Sequence, residues 1–286
     1  EKDSLNTWYL AAGAAGGALT KLDLSSEAKM GGYLLAMATW TRDSGAGVDD
    51  FAVFFTSQGE ALVYQGTNPS SATTWAKVGS YSIGKPLGYR CVAQYGADCV
   101  VITEDGVFPM SALLQSGDVE RAKFALSYKI QNAMTEVARS YGSTFGWKTQ
   151  LYPQRDAMIV NIPIAENGTH EQYVMNTITK SWCKFTGWNA EDFAVFNGEL
   201  YYCSGTTTTK SWTGTSDLGA NIVFYGKQAF QTFGDPNPKQ VKMYMPILTT
   251  NGAVNYGVDI DVDFADDEIV GLVGHPQAFA IEGQCA

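Results

Sequence analysis

AVFFTSQGEALVYQGTNPSSATTW (Ala52–Trp75) and AVFNGELYYCSGTTTTKSW (Ala194–Trp212) decide the fold class. Each is a short apolar strand, a tight turn, a second strand and then a tryptophan. The string TITKSW (Thr177–Trp182) returns as TTTKSW (Thr207–Trp212), and CVVITEDGVFPMS (Cys99–Ser111) is another strand-turn-strand. Such starts fall near Ala52, Asp98, Asp156 and Phe193, spaced by roughly 40–60 residues, close to the blade length of a β-propeller with insertions. The expected fold is therefore all-β, a β-propeller that is incomplete in this chain. Radially stacked sheets bury both faces against their neighbours and build a large core without long helices.

Strands are expected at Tyr33–Trp40, Phe51–Phe55, Ala61–Gln65, Trp75–Ile83, Val100–Thr103 and Val107–Met110. Further strands are expected at Trp147–Leu151, Ala157–Ile162, Gln172–Asn176, Trp182–Phe185, Phe193–Phe196 and Leu200–Cys203. Gln58-Gly59, Asp105-Gly106 and Asn197-Gly198 supply hairpin turns, the last being the strongest signal. One stretch breaks the pattern. Between Asp118 and Tyr141, apolar residues recur at steps of three and four, which predicts one inserted amphipathic helix over 118–141, about six turns long. Beyond Asn221 the expected strands lengthen (222–233, 241–248, 254–264). The domain reading is thus 1–220 for the propeller blades and 221–286 for a further β layer or closing blade.

The 286 residues are 45% hydrophobic, 13% aromatic and 17% charged, with 30 glycines, a composition suited to many strands and tight turns. No apolar run approaches the length of a transmembrane helix, and no secretory signal is visible. The chain opens on Glu1-Lys2-Asp3 and is read as a processed or partial chain. Its net charge of −10 argues against a surface that grips nucleic-acid phosphates, though not against a smooth acidic channel. Five cysteines at irregular spacing, with no C-x-x-C, disfavour a zinc site or disulfide framework and read as buried free thiols.

Catalytic signatures are sparse. His170 and His275 both read as exposed loop residues, and no G-x-S-x-G elbow, Walker loop, dinucleotide fingerprint or H-E-x-x-H occurs. Asp259, Asp261 and Asp263 alternate along one strand face and form a weak candidate cation site; a solvated strand face has the same pattern. Five arginines are few for a sialidase-like propeller, so no catalytic residues and no cofactor are expected.

GEALVYQGTNP (Gly59–Pro69) with VGSYSIGKPLGYR (Val78–Arg90), VVITEDGVFPMS (Val100–Ser111), QYVMNTITKSWCKFTGW (Gln172–Trp188) and FNGELYYCSG (Phe196–Gly205) carry a resemblance. They resemble the β-propeller tail hub or nozzle proteins of short-tailed bacteriophages, also described as packaged-DNA stabilisation proteins. The resemblance implies a virion tail protein, assembled in the host bacterial cytoplasm as a homo-oligomeric ring, six-fold by expectation. That ring would sit below the portal and adaptor, touch other tail proteins, close the filled capsid and pass double-stranded DNA without reading its sequence. It would carry no membrane anchor. On that reading Asp49, Asp50, Glu104, Asp105, Asp259, Asp261 and Asp263 are candidates for the DNA-facing lumen, where acidic walls let phosphates slide. Trp188 and Tyr152 are candidates for subunit contacts. The alternative is a propeller that binds or hydrolyses cell-surface glycan, which a cluster of acids and arginines at one end of the axis would favour.

Overall fold

A computed structural model of the chain describes residues 3–43, 48–115 and 121–214, with isolated positions between 216 and 247. The chain divides into two compact units, Glu1–Ser211 and Trp212–Ala286. The expected strands beyond Asn221 lie outside the described residues, apart from those isolated positions, as do Asp259, Asp261, Asp263, His275 and Cys285. Strands account for 45% and helices for 11% of the structure, so the fold is mostly β.

The first unit opens with the hairpin β1 (Asn6–Tyr9) and β2 (Thr20–Asp23). Four antiparallel meanders follow in chain order. The first is β3 (Leu34–Asp43), β4 (Val48–Thr56), β5 (Glu60–Gly66) and β6 (Trp75–Ser82). The second is β7 (Val92–Tyr95), β8 (Asp98–Thr103) and β9 (Gly106–Pro109). After it come the helices α1 (Met110–Gln115) and α2 (Gln131–Tyr141). The third meander is β10 (Lys148–Tyr152), β11 (Ala157–Pro163), β12 (His170–Asn176) and β13 (Trp182–Phe185). The fourth is β14 (Asp192–Phe196), β15 (Glu199–Ser204) and β16 (Thr207–Lys210). Within each sheet every strand pairs with its sequence neighbour.

The first strand of each meander lies against the first strand of the next: β3 on β7, β7 on β10, β10 on β14. These strands run the same way. Tyr33 and Tyr89, just before β3 and β7, bring their rings to 6.4 Å, while the Thr41 N–H near the end of β3 donates to the Ala97 carbonyl just beyond β7 (3.0 Å). Arg90 and Lys148 form a parallel bridge at the leading ends of β7 and β10. Strands buried on both faces make this stacking possible; all seven residues of β11 are buried. One core joins Phe55 and Val63 of the first sheet, Val100, Ile102 and Phe108 of the second, and Met158 and Val160 of the third. On the outer face of the first sheet, Phe54, Leu62 and Tyr64 pack instead with Leu24 and Ala28 from the N-terminal segment.

Of the helix expected over 118–141, residues 118–120 lie outside the described residues; over 121–141 it is corrected to α2, 11 residues long, preceded by two 3-10 turns at Arg121–Phe124 and Tyr128–Ile130. Tertiary hydrogen bonds outcompete the helical ones. The Leu126 N–H donates to the Val107 carbonyl, and the Val107 N–H donates to Ser127 Oγ (3.0 Å). The segment thus covers the edge of β9, which pairs with no fourth strand among the described residues. The two near-identical hexapeptides also part company. Thr177–Lys180 forms the β12–β13 turn, with Lys180 at φ +57°, whereas Thr207–Lys210 is β16.

Gly59, at φ +84°, sits where the β4–β5 turn meets the chain leaving β6. A Cβ there would lie 2.6 Å from the Gly84 carbonyl carbon and oxygen, and the Ile83 N–H donates to the Gly59 carbonyl (2.8 Å). Gly59→Ala combines a forbidden backbone region with a backbone clash, and should cost at least about 2 kcal/mol in urea unfolding. A midpoint equal to that of the unmodified protein would show that this contact carries no weight.

Candidate functional site

The leading ends of β7, β10 and β14 converge on one carboxylate. Asp192 Oδ2 accepts from Arg90 Nη1 (2.8 Å) and Oδ1 from Lys148 Nζ (2.6 Å). Arg90 Nη2 also donates to the Glu191 carbonyl (3.2 Å), and Lys148 Nζ to the Phe193 carbonyl (2.6 Å). The Arg90 guanidinium lies 5.2 Å from the centre of the exposed Phe145 ring, and Tyr89 is exposed beside it in sequence. Three sheets are therefore tied at one rim by groups that lie far apart in sequence.

A buried polar row continues from this rim between the third and fourth sheets. Lys148, Asn161 and Gln172 are cross-strand partners on β10, β11 and β12, so they share one face. Asn161 Nδ2 donates to the carbonyls of Gly146 (3.1 Å) and Ala190 (2.9 Å). Gln172 Nε2 donates to Asn161 Oδ1 (2.9 Å) and to the Trp188 carbonyl (2.8 Å). Gln172 Oε1 is buried with no hydrogen-bond partner among the described residues.

His170 belongs to the same face and corrects the expectation of an exposed loop residue. It is 1% exposed, because it opens β12 opposite Pro163 instead of standing in the turn. Its Nδ1 donates to the Gly168 carbonyl (2.9 Å), which as an acceptor fixes the proton on that nitrogen; its backbone N–H reaches Asn189 Oδ1 (3.4 Å). The turn signal Asn167-Gly168-Thr169 concealed that the strand begins at the next residue.

The candidates taken from the sequence scatter. Asp50 is exposed near the trailing ends of the first strands and accepts from Thr41 Oγ1 (2.7 Å). Asp49 lies opposite Arg42 in the β3–β4 register. Glu104 and Asp105 are exposed in the β8–β9 turn at the opposite rim, where the Glu104 N–H donates to the Lys85 carbonyl (2.9 Å). The fold does not bring these acids into one patch. Trp188 is half-buried in an aromatic cluster of the chain itself, stacked on Tyr202 (5.5 Å) and edge-on to Phe185 (5.4 Å). Tyr152 is 5% exposed and donates its hydroxyl to the Gly198 carbonyl (3.1 Å). Both rings are occupied by packing between the third and fourth sheets.

The four cysteines among the described residues are free thiols. Cys91 and Cys99 are buried, which pushes each thiol up to about 12, so neither is a nucleophile at neutral pH. Cys183 is exposed and Cys203 half-buried, against the expectation of burial throughout. No group of three or more metal-ligating side chains gathers among the described residues, and no helix among them is long and apolar enough to cross a membrane.

Partial burial pushes the Asp192 carboxyl up. The Lys148 hydrogen bond and charge, the Phe193 N–H and the Arg90 charge outweigh this, and together hold it below the ordinary carboxylate range. A depressed folded-state value stabilises the fold above the unfolded carboxylate range, and that contribution is lost as the pH falls through the folded value. Asp192→Asn should therefore destabilise the protein at neutral pH by on the order of 1 kcal/mol, kept small because a side chain 43% exposed is screened by solvent. The gap between variant and parent should close in acid. A gap that persists unchanged at low pH would remove the ion pair as its cause.

Compared with protein-family models and with curated protein sequences, the chain matches none.

Proposed function

We propose that the chain is a structural component of a bacteriophage tail, a β-propeller subunit of a ring below the portal and adaptor. The ring closes the filled capsid and passes double-stranded DNA. The observation that carries the reading is the run of antiparallel meanders in chain order, with β3, β7, β10 and β14 side by side and parallel where their ends meet. Radial blades around an axis have this arrangement. The sequence strings that resemble tail hub and nozzle proteins give that architecture its biological setting, and the net charge of −10 suits a wall along which phosphates slide. The work is mechanical and needs no cofactor: ring assembly, retention of DNA and its release. Asp50, Glu104 and Asp105 are exposed and remain the lumen candidates among the described residues, serving opposite rims of the channel.

One observation favours the alternative of glycan binding. Arg90, Lys148 and Asp192 cluster at one end of the first strands beside the exposed rings of Tyr89 and Phe145. Hydrolysis fits less well. The carboxyl in that cluster is held ionised by two cations, whereas a glycosidic general acid needs its pKa raised.

Light scattering and particle imaging of the native protein, alone and with a portal–adaptor complex, test the reading. A defined ring, formed alone or on the portal complex, is the expected outcome. A monomer that ignores the portal complex would overturn it, and saturable glycan binding by that monomer would put the alternative in its place.

A further inference from the structure

Asn-Gly occurs twice among the described residues, in two β-hairpin turns with different hydrogen bonding. Asn197-Gly198 is the two-residue loop between β14 and β15, with Phe196 opposite Glu199. Both residues have positive φ (+49° and +77°), as a type I′ turn requires, and both are exposed. The Gly198 N–H has no acceptor among the described residues. The nearest atom to a Cβ built on Gly198 would be Gln154 Nε2 at 3.6 Å, so nothing crowds the glycine. Asn167-Gly168, between β11 and β12, differs in two respects that bear on reactivity. The Gly168 N–H donates to the Ala165 carbonyl (3.2 Å), and Gly168 is half-buried.

That difference bears on one reaction. A glycine nitrogen following asparagine can attack the side-chain carbonyl carbon, closing a five-membered succinimide and expelling ammonia. Water then opens the ring at either carbonyl, leaving an aspartyl or an isoaspartyl linkage. No oxidant, metal or enzyme is needed. The attacking nitrogen must be free of an acceptor and open to the base that removes its proton. Gly198 meets both conditions and Gly168 meets neither fully.

We infer that Asn197 is a site of spontaneous deamidation in the folded protein, modified ahead of Asn167. The position gives the change a structural consequence. The Gly198 carbonyl accepts the hydroxyl of buried Tyr152, which pins the hairpin tip to the end of β10. An isoaspartyl linkage lengthens the main chain inside a two-residue loop. The Phe196–Glu199 pairing and the Tyr152 bond then cannot both persist, and the fourth sheet loosens from the third.

The experiment is peptide mapping by mass spectrometry after incubating the intact full-length chain in mildly alkaline buffer, beside a sample unfolded in denaturant. In denaturant the sites at 167 and 197 should convert at similar rates, because their local sequences offer the same nucleophile; the chain's third Asn-Gly, Asn251-Gly252, lies outside the described residues. In the native protein the peptide bearing position 197 should acquire the mass gain of an amide-to-acid change several-fold faster than the peptide bearing position 167. The fraction modified at 197, separated by ion exchange, should unfold at a lower denaturant midpoint than the unmodified fraction. Asn197→Gln should abolish the conversion at that position. Native conversion at position 167 equal to or faster than at 197 would overturn the inference. So would conversion of both sites in denaturant with neither changing in the folded chain. An unaltered unfolding midpoint in the modified fraction would overturn its structural half.

Discussion

The inner strands of the first three meanders bury both faces, and much of the first unit follows from that constraint, whereas the fourth sheet leaves Ala194, Val195 and Phe196 exposed. β11 is buried at all seven positions, and β5 at its first five. A half-solvated meander would alternate apolar and polar side chains instead. Two-sided burial demands a neighbour on each side, so the meanders stack in chain order with their first strands together. On the outer face of the first sheet, residues 3–33 supply Leu24 and Ala28 as the packing partners. Where a fourth strand is lacking among the described residues, residues 125–127 cap the edge of β9.

Strand existence was legible because it is written locally, in apolar runs closed by turn residues. Asn197-Gly198 and Asp105-Gly106 mark real hairpins. The strand β16 and the turn at Thr177–Lys180 show where such reading stops. TTTK and TITK have nearly the same local preferences, and the partner decides: Thr207–Lys210 meets the free edge of β15, whereas Thr177–Lys180 follows a strand that already ends at Asn176. Strand propensity is largely a statement about such partners. The helix expected over 118–141 forms at Gln131–Tyr141 but gives way to 3-10 turns over 121–130 for the same reason. Its three- and four-residue spacing is compatible with side chains that point inward from a non-helical segment tied to a sheet edge.

The candidate site was the least legible part. Arg90, Lys148 and Asp192 carry no motif, and over a hundred residues separate the first from the last. Acidic pairs such as Asp49-Asp50 and Glu104-Asp105 attract attention in a sequence because they are adjacent there. Adjacency on the chain did not predict adjacency in space, and the acids lie at opposite rims. A signal was available only in hindsight of topology: each of the three residues stands at or just before the first strand of its meander, and parallel first strands bring equivalent positions together. His170 was masked by the turn residues before it, which determine where the chain reverses but not where burial resumes.

The polar row between the third and fourth sheets is a poor way to gain stability and a good way to fix a single arrangement. Apolar faces such as those of Ile159 and Val174 would tolerate sliding, since dispersion and hydrophobic burial have little directional preference. Lys148, Asn161 and Gln172 do not. Asn161 must find the Gly146 and Ala190 carbonyls, and Gln172 the Trp188 carbonyl, or each is left desolvated and unpaired at a cost of about 1–3 kcal/mol. A shift of one residue along the strands would expose that cost at several positions together. A buried network of this kind therefore selects the register and the order of the sheets more than it strengthens their contact. The Asp192 ion pairs complete the selection at the rim, where partial solvent access keeps their strength modest but leaves their geometry specific.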